Sequence, residues 1–161
     1  MSKESVDIEG KNVNMVEAEF MNIVQSTVRS VEGGHIELQQ VGAFSIDGER
    51  VEVTQGASVI MRGDTISLNQ SIGGVVTGNS TNLNFSFTPF SVSTEGTVIE
   101  KSAVGIMAAK EIKSEDSTAV IMIGKNINGN VTTLLDWKSA LAISAVAGGI
   151  FGLFSLLRKG R

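Results

Sequence analysis

The chain has 161 residues, 42% of them apolar, with 18 glycines, one proline, one histidine and no cysteine. Without cysteine there is no disulfide scaffold, thiolate metal site or thiol nucleophile, and a lone His35 leaves no triad or histidine cluster to assemble. The net charge of −4 argues against nucleic acid, which needs a basic stripe; residues 1–135 hold 9 Lys/Arg against 16 Asp/Glu, and residues 136–161 hold 4 against 1, so two regions with different surroundings are expected.

Residues 1–12 are polar and mixed in charge. They lack the apolar h-region of a secretory signal and a glycine at position 2 for myristoylation, so export by a cleaved signal is not expected.

From Ser5 the chain falls into rows of fifteen. Gln25, Gln40, Gln55 and Gln70 share one column, and Gly33, Gly48, Gly63 and Gly78 share another, with Ala18 before them. Apolar columns read Val6, Met21, Ile36, Val51, Ile66; then Ile8, Ile23, Leu38, Val53, Leu68, Leu83; then Val16, Val31, Ile46, Met61, Val76. One extra residue in the stretch 80–95 shifts the frame, after which Val92, Met107 and Met122 continue the third of these columns and Ala109 and Gly124 continue the glycine column.

A unit of fifteen is too short for helical repeats or leucine-rich repeats. Within a row apolar and polar residues alternate, as in Ile36, Leu38 and Val51, Val53, which is strand periodicity with one face inward. The expected fold is therefore all-β: a single-stranded parallel β-solenoid over residues 1–134, of about eight coils with two short strands and two turns each. Val16, Phe20, Ile23, Val24, Val28 and Val31 also fit a helical face, but a helix there would make the register of Gln25 and Gly33 accidental. The glutamines predict a stacked amide ladder. The glycines predict a tight corner needing positive φ or a close backbone approach; no Lys-Ser/Thr follows them as in a phosphate loop.

One coil is irregular. Around it lie Phe85, Phe87, Pro89 and Phe90, with Phe85 where the ladder glutamine should stand. Either these phenylalanines fill a wider interior, with Pro89 at a corner, or they form a partner contact. No catalytic constellation is visible. Glu37 and Glu52 share an outward column one coil apart and read as a solvated acidic face, and His35 as an exposed corner residue. Neither an enzyme activity, a metal, a cofactor nor a small-molecule substrate is expected.

Residues 135–161 form a second region, a hydrophobic α-helix with a basic tail. Residues 139–157 carry no charge and as a helix would extend about 28 Å, close to the thickness of a bilayer core. Trp137 is placed as an interfacial anchor, Leu141, Ile143, Val146, Ile150, Phe151, Leu153, Phe154, Leu156 and Leu157 face lipid, and Arg158, Lys159 and Arg161 meet headgroups. Ala145, Gly148, Gly149 and Gly152 give two small-xxx-small pairs suited to close helix packing. The expectation is a transmembrane tail anchor with the solenoid on the cytoplasmic side; the competing reading makes this helix a docking or oligomerisation element.

The repeated columns, the stretch of residues 100–109 and Thr132-Thr-Leu-Leu-Asp before an Ala/Gly-rich helix resemble small prokaryotic β-solenoid proteins with a C-terminal hydrophobic helix. At fold level the solenoid is also similar to bactofilins, which are polymerising, membrane-associated β-helices. That resemblance implies a scaffold. The expected function is a non-enzymatic, membrane-tethered structural protein that forms a homo-oligomer or positions a larger protein complex; the alternative is a partner-recognition module using Phe85, Phe87 and Phe90.

Overall fold

The computed structural model describes residues 5–133. Eight strands follow one another: β1 (Ser5–Glu9), β2 (Asn12–Val24), β3 (Thr27–Gln39), β4 (Gly42–Thr54), β5 (Ala57–Asn69), β6 (Ile72–Asn84), β7 (Phe87–Glu100) and β8 (Ala103–Thr133). They form one parallel sheet in sequence order. Partners lie fifteen residues apart, so Val31 pairs with Ile46 and Ile46 with Met61. β8, with 31 residues, passes through two turns, and the β-solenoid has about nine turns in place of the eight expected. The helical reading of residues 16–31 is excluded, since both halves are strand.

Each full turn is one strand of 13 residues in β2 to β6, where the alternation had suggested two short strands. Three bends make it close on itself. Pairing lapses at the columns of Arg29 and Phe44 and of Gly34 and Glu49, where two successive side chains face outward. The third bend is left-handed: Gln25, Gln40, Gln55, Gln70, Phe85, Lys101 and Asp116 all have φ between 45° and 55°, and Gly10 opens the column at 63°. A non-glycine residue there costs on the order of 1 kcal/mol. The cost is offset by what the bend allows, a reversal of direction without loss of stacking.

The corner's backbone donors are satisfied by a serine column. The hydroxyls of Ser26, Ser71, Ser86, Ser102 and Ser117 accept the N–H of Lys11, Gly56, Ser71, Ser86 and Ser102 from the preceding turn, at 2.9–3.2 Å. Each donates in turn to the carbonyl two residues before it, at 2.7–2.9 Å. Backbone groups that turn away from the ladder at a bend would otherwise be buried without partners.

Of the two causes open to the glycine column, the close backbone approach is the one that applies. None of Gly33, Gly48, Gly63 and Gly78 has positive φ. They are close approaches: a Cβ on Gly48 would stand 2.8 Å from the Gly33 carbonyl oxygen and 2.7 Å from Ile36 Cδ1, and a Cβ on Gly78 2.7 Å from the Gly63 oxygen. Ala18 stands at the start of the column, paired with Gly33.

The interior is apolar along most of the rod, with Ile23, Ile36, Leu38, Ile46, Met61, Ile66 and Leu68 fully buried. It changes in β7. Here the extra residue falls at Thr94–Glu95, since Gly78 pairs with Ser93 but Ser80 with Gly96. The third apolar column therefore continues from Val76 through Ser91 to Met107, and Val92, assigned to it from sequence, points outward and is exposed. The column of Ile66 continues as Thr81 and Thr97 before returning to Ile112. Ser93 Oγ lies 2.7 Å from Thr81 Oγ1 and accepts from Thr97 Oγ1 at 2.9 Å. The hydroxyls of Thr88 and Ser91 are buried without a hydrogen-bond partner among the described residues.

Two stability predictions follow from these columns. Gly48→Ala forces backbone against side chain and is expected to cost about 1–3 kcal/mol, or roughly 4–10 °C in Tm, whereas Gly42→Ala, with nothing within 4 Å of its Cβ, is expected to leave Tm unchanged or slightly raised. Ser91→Val, which restores an apolar residue between Val76 and Met107 and removes an unpartnered hydroxyl, is expected to stabilise by about 1–2 kcal/mol in a thermal melt.

Candidate functional site

The columns that face inward make the core, so recognition rests on those that face out. Gln25 Nε2 donates to Gln40 Oε1 at 3.1 Å, Gln40 to Gln55 at 3.2 Å and Gln55 to Gln70 at 3.1 Å. The expected amide ladder is thus present, on the same column that carries the left-handed bend. It consumes the side-chain amides along its length and is structural.

Phe85 takes the next place in that column, half exposed, with Lys101 Nζ 5.3 Å from its ring centre. Phe87 and Phe90 also lie on the outside, about half exposed. None of the three fills the interior. Pro89 stands at the first of these bends, in the column of Arg29, Phe44 and Val59, where cross-turn pairing lapses and a missing N–H removes nothing from the ladder.

The structure places Phe87 and Phe90 in a larger feature. Phe87 pairs between Ile72 and Ala103, and Phe90 between Val75 and Ile106. Beside them the bend column brings up Phe44, Val59 and Val120. Together these residues make an apolar edge that runs along the rod from the turn of Phe44 to that of Val120, every one of them exposed by 37% or more. The sequence had singled out the phenylalanines of one coil and missed Phe44, Val59, Ile72, Val75, Ile106 and Val120. The signal was available: once the rows are in register, the outward columns can be scanned for apolar content as readily as the inward ones.

The adjacent bend is its opposite in character. The glycine column floors a groove of about 1260 Å³, walled by Glu17, Glu32 and Asp47 on one side and Glu19, Glu49 and Asp64 on the other, with Arg62 among them. Asn79 Nδ2 donates to Asp64 Oδ1 at 2.9 Å. Acidic and apolar columns thus divide the outer surface, the acidic one in the earlier turns and the apolar one extending to the later turns.

The remaining candidates are ordinary. Glu37 and Glu52 do pair across one turn. His35 is half-buried rather than exposed, 3.1 Å from Glu37 Oε1 and packed on the ring of Phe20 at 6.1 Å. Among the described residues no group of three or more His, Asp or Glu is arranged to hold a metal ion, and no helix is long and apolar enough to cross a membrane. The hydrophobic helix expected from the sequence, with the expected anchor residues from Trp137 to Arg161 and the small residues Ala145, Gly148, Gly149 and Gly152, falls outside the described residues.

Compared with known proteins, the chain matches no family model, no curated protein and no solved structure.

Proposed function

We propose that the chain is a non-enzymatic scaffold: a rigid rod, tethered to a membrane by residues 139–157, that self-associates and presents its apolar edge to other components. The observation that carries the self-association is the open end of the ladder. β1 pairs only with residues 20–24 of β2, so residues 12–19 have no strand beneath them among the described residues. An unpaired parallel edge is a template for another turn, and a joint between unlike ends repeats without closing. In this reading the chain is similar in architecture to bactofilins and to small prokaryotic β-solenoid proteins with a hydrophobic helix. The tether is supported by the uncharged run of residues 139–157, flanked by Trp137 and by Arg158, Lys159 and Arg161. The solenoid would lie on the cytoplasmic side.

A second reading has one specific observation in its favour. Phe85, Phe87 and Phe90 are all on the outside, where a partner-recognition module would need them.

Val13 tests the self-association. It packs inward at the open end and pairs with Val28. A lysine there reaches solvent while the end is free, but in a stacked rod it is buried without a partner, at a cost of several kcal/mol. Val13→Lys is therefore expected to keep the fold, by circular dichroism, and to lose assembly in sedimentation of the detergent-solubilised full chain. Unchanged assembly would refute end-to-end stacking. Phe87→Ala is expected to assemble normally; loss of a bound partner with assembly intact would favour the recognition module. For the tether, the full chain is expected to sediment with cell membranes and resist carbonate extraction, while a version ending at Asp136 stays in the supernatant. A full chain found in the supernatant overturns it.

A further inference from the structure

The apolar edge is three columns wide, and along two of them large and small residues change places at one height, between the turns of Ala57 and Ile72. In the first column Gly42 and Ala57 are followed by Ile72 and Phe87. In the bend column the order is reversed, with Phe44 and Val59 first and Gly74 and Pro89 after them. The third column follows the first at its outer positions, Ser45 and Phe90. The hollow at Gly74 is imposed by the fold, since a Cβ there would stand 2.6 Å from the Val59 carbonyl oxygen. The hollow at Gly42 is not, because nothing lies within 4 Å of where its Cβ would be. Gly42 and Ala57 instead lie in a trough of about 710 Å³ bordered by Phe44, Val59 and Ile72. An unforced small residue beside exposed large ones leaves room for something from outside.

We propose that the occupant of this edge is a second copy of the chain, packed side by side and antiparallel about a two-fold axis between the turns of Ala57 and Ile72. Such an axis lays each column against itself with its order reversed. Phe87 of one rod then faces Gly42 of the other and Ile72 faces Ala57, while Phe44 faces Pro89 and Val59 faces Gly74. Large against small is what lets two surfaces interdigitate, and the two-fold repeats every match. A parallel pair lacks this fit, since it sets Phe44 against itself and Phe87 against Phe90. The flanking column also agrees: Asp47 comes opposite Val92, Arg62 opposite Thr77 and Glu32 opposite Ala108, so no like charges meet. Phe44, Val59, Ile72, Val75, Phe87 and Phe90 are exposed by 41–56%, which at the usual size of such side chains is roughly 550 Å² on each rod. With the residues between them the pair covers on the order of 1,300 Å², within the range of specific, stable interfaces. The pairing rests on the proposed scaffold only in that the edge is offered to another component, here named as a second copy. It is lateral and separate from end-to-end stacking, which Phe87→Ala leaves intact.

The absence of native cysteine makes the test direct. Thr27 and Ala103 are exposed on the first column, five steps apart in one rod, about 24 Å at the spacing of paired strands. The two-fold brings Thr27 of one copy opposite Ala103 of the other and keeps two copies of either residue that same distance apart. Full chains carrying Thr27→Cys and Ala103→Cys, with different tags, are co-expressed and treated in unbroken cells with a bismaleimide of two-carbon spacer. Both also carry Val13→Lys, so that end stacking contributes nothing. The mixed link is expected at roughly tenfold or more the yield of either like link. Ala57→Ile, which sets Ile against Ile72 at two places in the pair, is expected to lower the mixed link about tenfold or more. Adding Ile72→Ala exchanges large for small and is expected to restore it, while circular dichroism of the purified chains shows all variants folded. Like links equal to the mixed one, or a mixed link indifferent to Ala57→Ile, overturn the antiparallel register. No mixed link overturns the second copy and leaves the edge to a different partner or to another part of the chain. Loss of the link with membrane sedimentation intact leaves the tether standing; a mixed link in chains found in the supernatant keeps the pairing while the tether fails.

Discussion

Everything in this rod depends on one requirement: after fifteen residues the chain must return to the same place, one strand spacing higher, with its backbone donors and acceptors facing their counterparts. The requirement is met along the straight stretches by ordinary parallel pairing. It is hardest to meet at the left-handed bend, and there the serine hydroxyls take over as acceptors for the corner N–H groups. It also dictates the glycine column, because turns stacked this closely bring a carbonyl oxygen to where a Cβ would be. Apolar side chains fill the tube that results, but the backbone sets its pitch.

The same requirement explains what could be read from sequence. Columns that repeat one residue type, such as the glutamines, the glycines and Ile23, Leu38, Val53 and Leu68, were legible because each turn meets the same environment. The meaning of a column was less so. Glycine serves both positive φ and close approach, and the column by itself left both open; only the second applies. The left-handed position was instead occupied by glutamine, a residue whose propensity does not announce it. The serine column was hidden by Val41 and Gly56, which interrupt it, and by the frame shift. That shift was seen, but its place at Thr94–Glu95 was not, so Val92 was put where Ser91 stands.

The candidate surface was legible only in part, for a related reason. The phenylalanines of the irregular coil attracted attention by type and density, whereas Phe44, Val59 and Val75 are scattered along the chain and become neighbours only through the pitch. On a rod of this kind a surface is a set of residues fifteen apart, and local sequence windows do not contain it. The acidic groove was missed for the same reason: Glu37 and Glu52, the acidic pair that the sequence offered, stand in another column, and the groove's walls lie in the columns of Glu17 and Glu19.

The amide ladder carries one more consequence. Every glutamine from Gln25 to Gln55 gives its N–H to the turn above and takes nothing from it, and the serines accept from below throughout. These bonds all point one way. The rod is therefore a vector rather than a simple cylinder, with chemically unlike poles. Two such rods can continue each other's side-chain bonds only when laid head to tail, so a filament built from them would have a plus and a minus end, and any cargo bound to its sides would face a single heading.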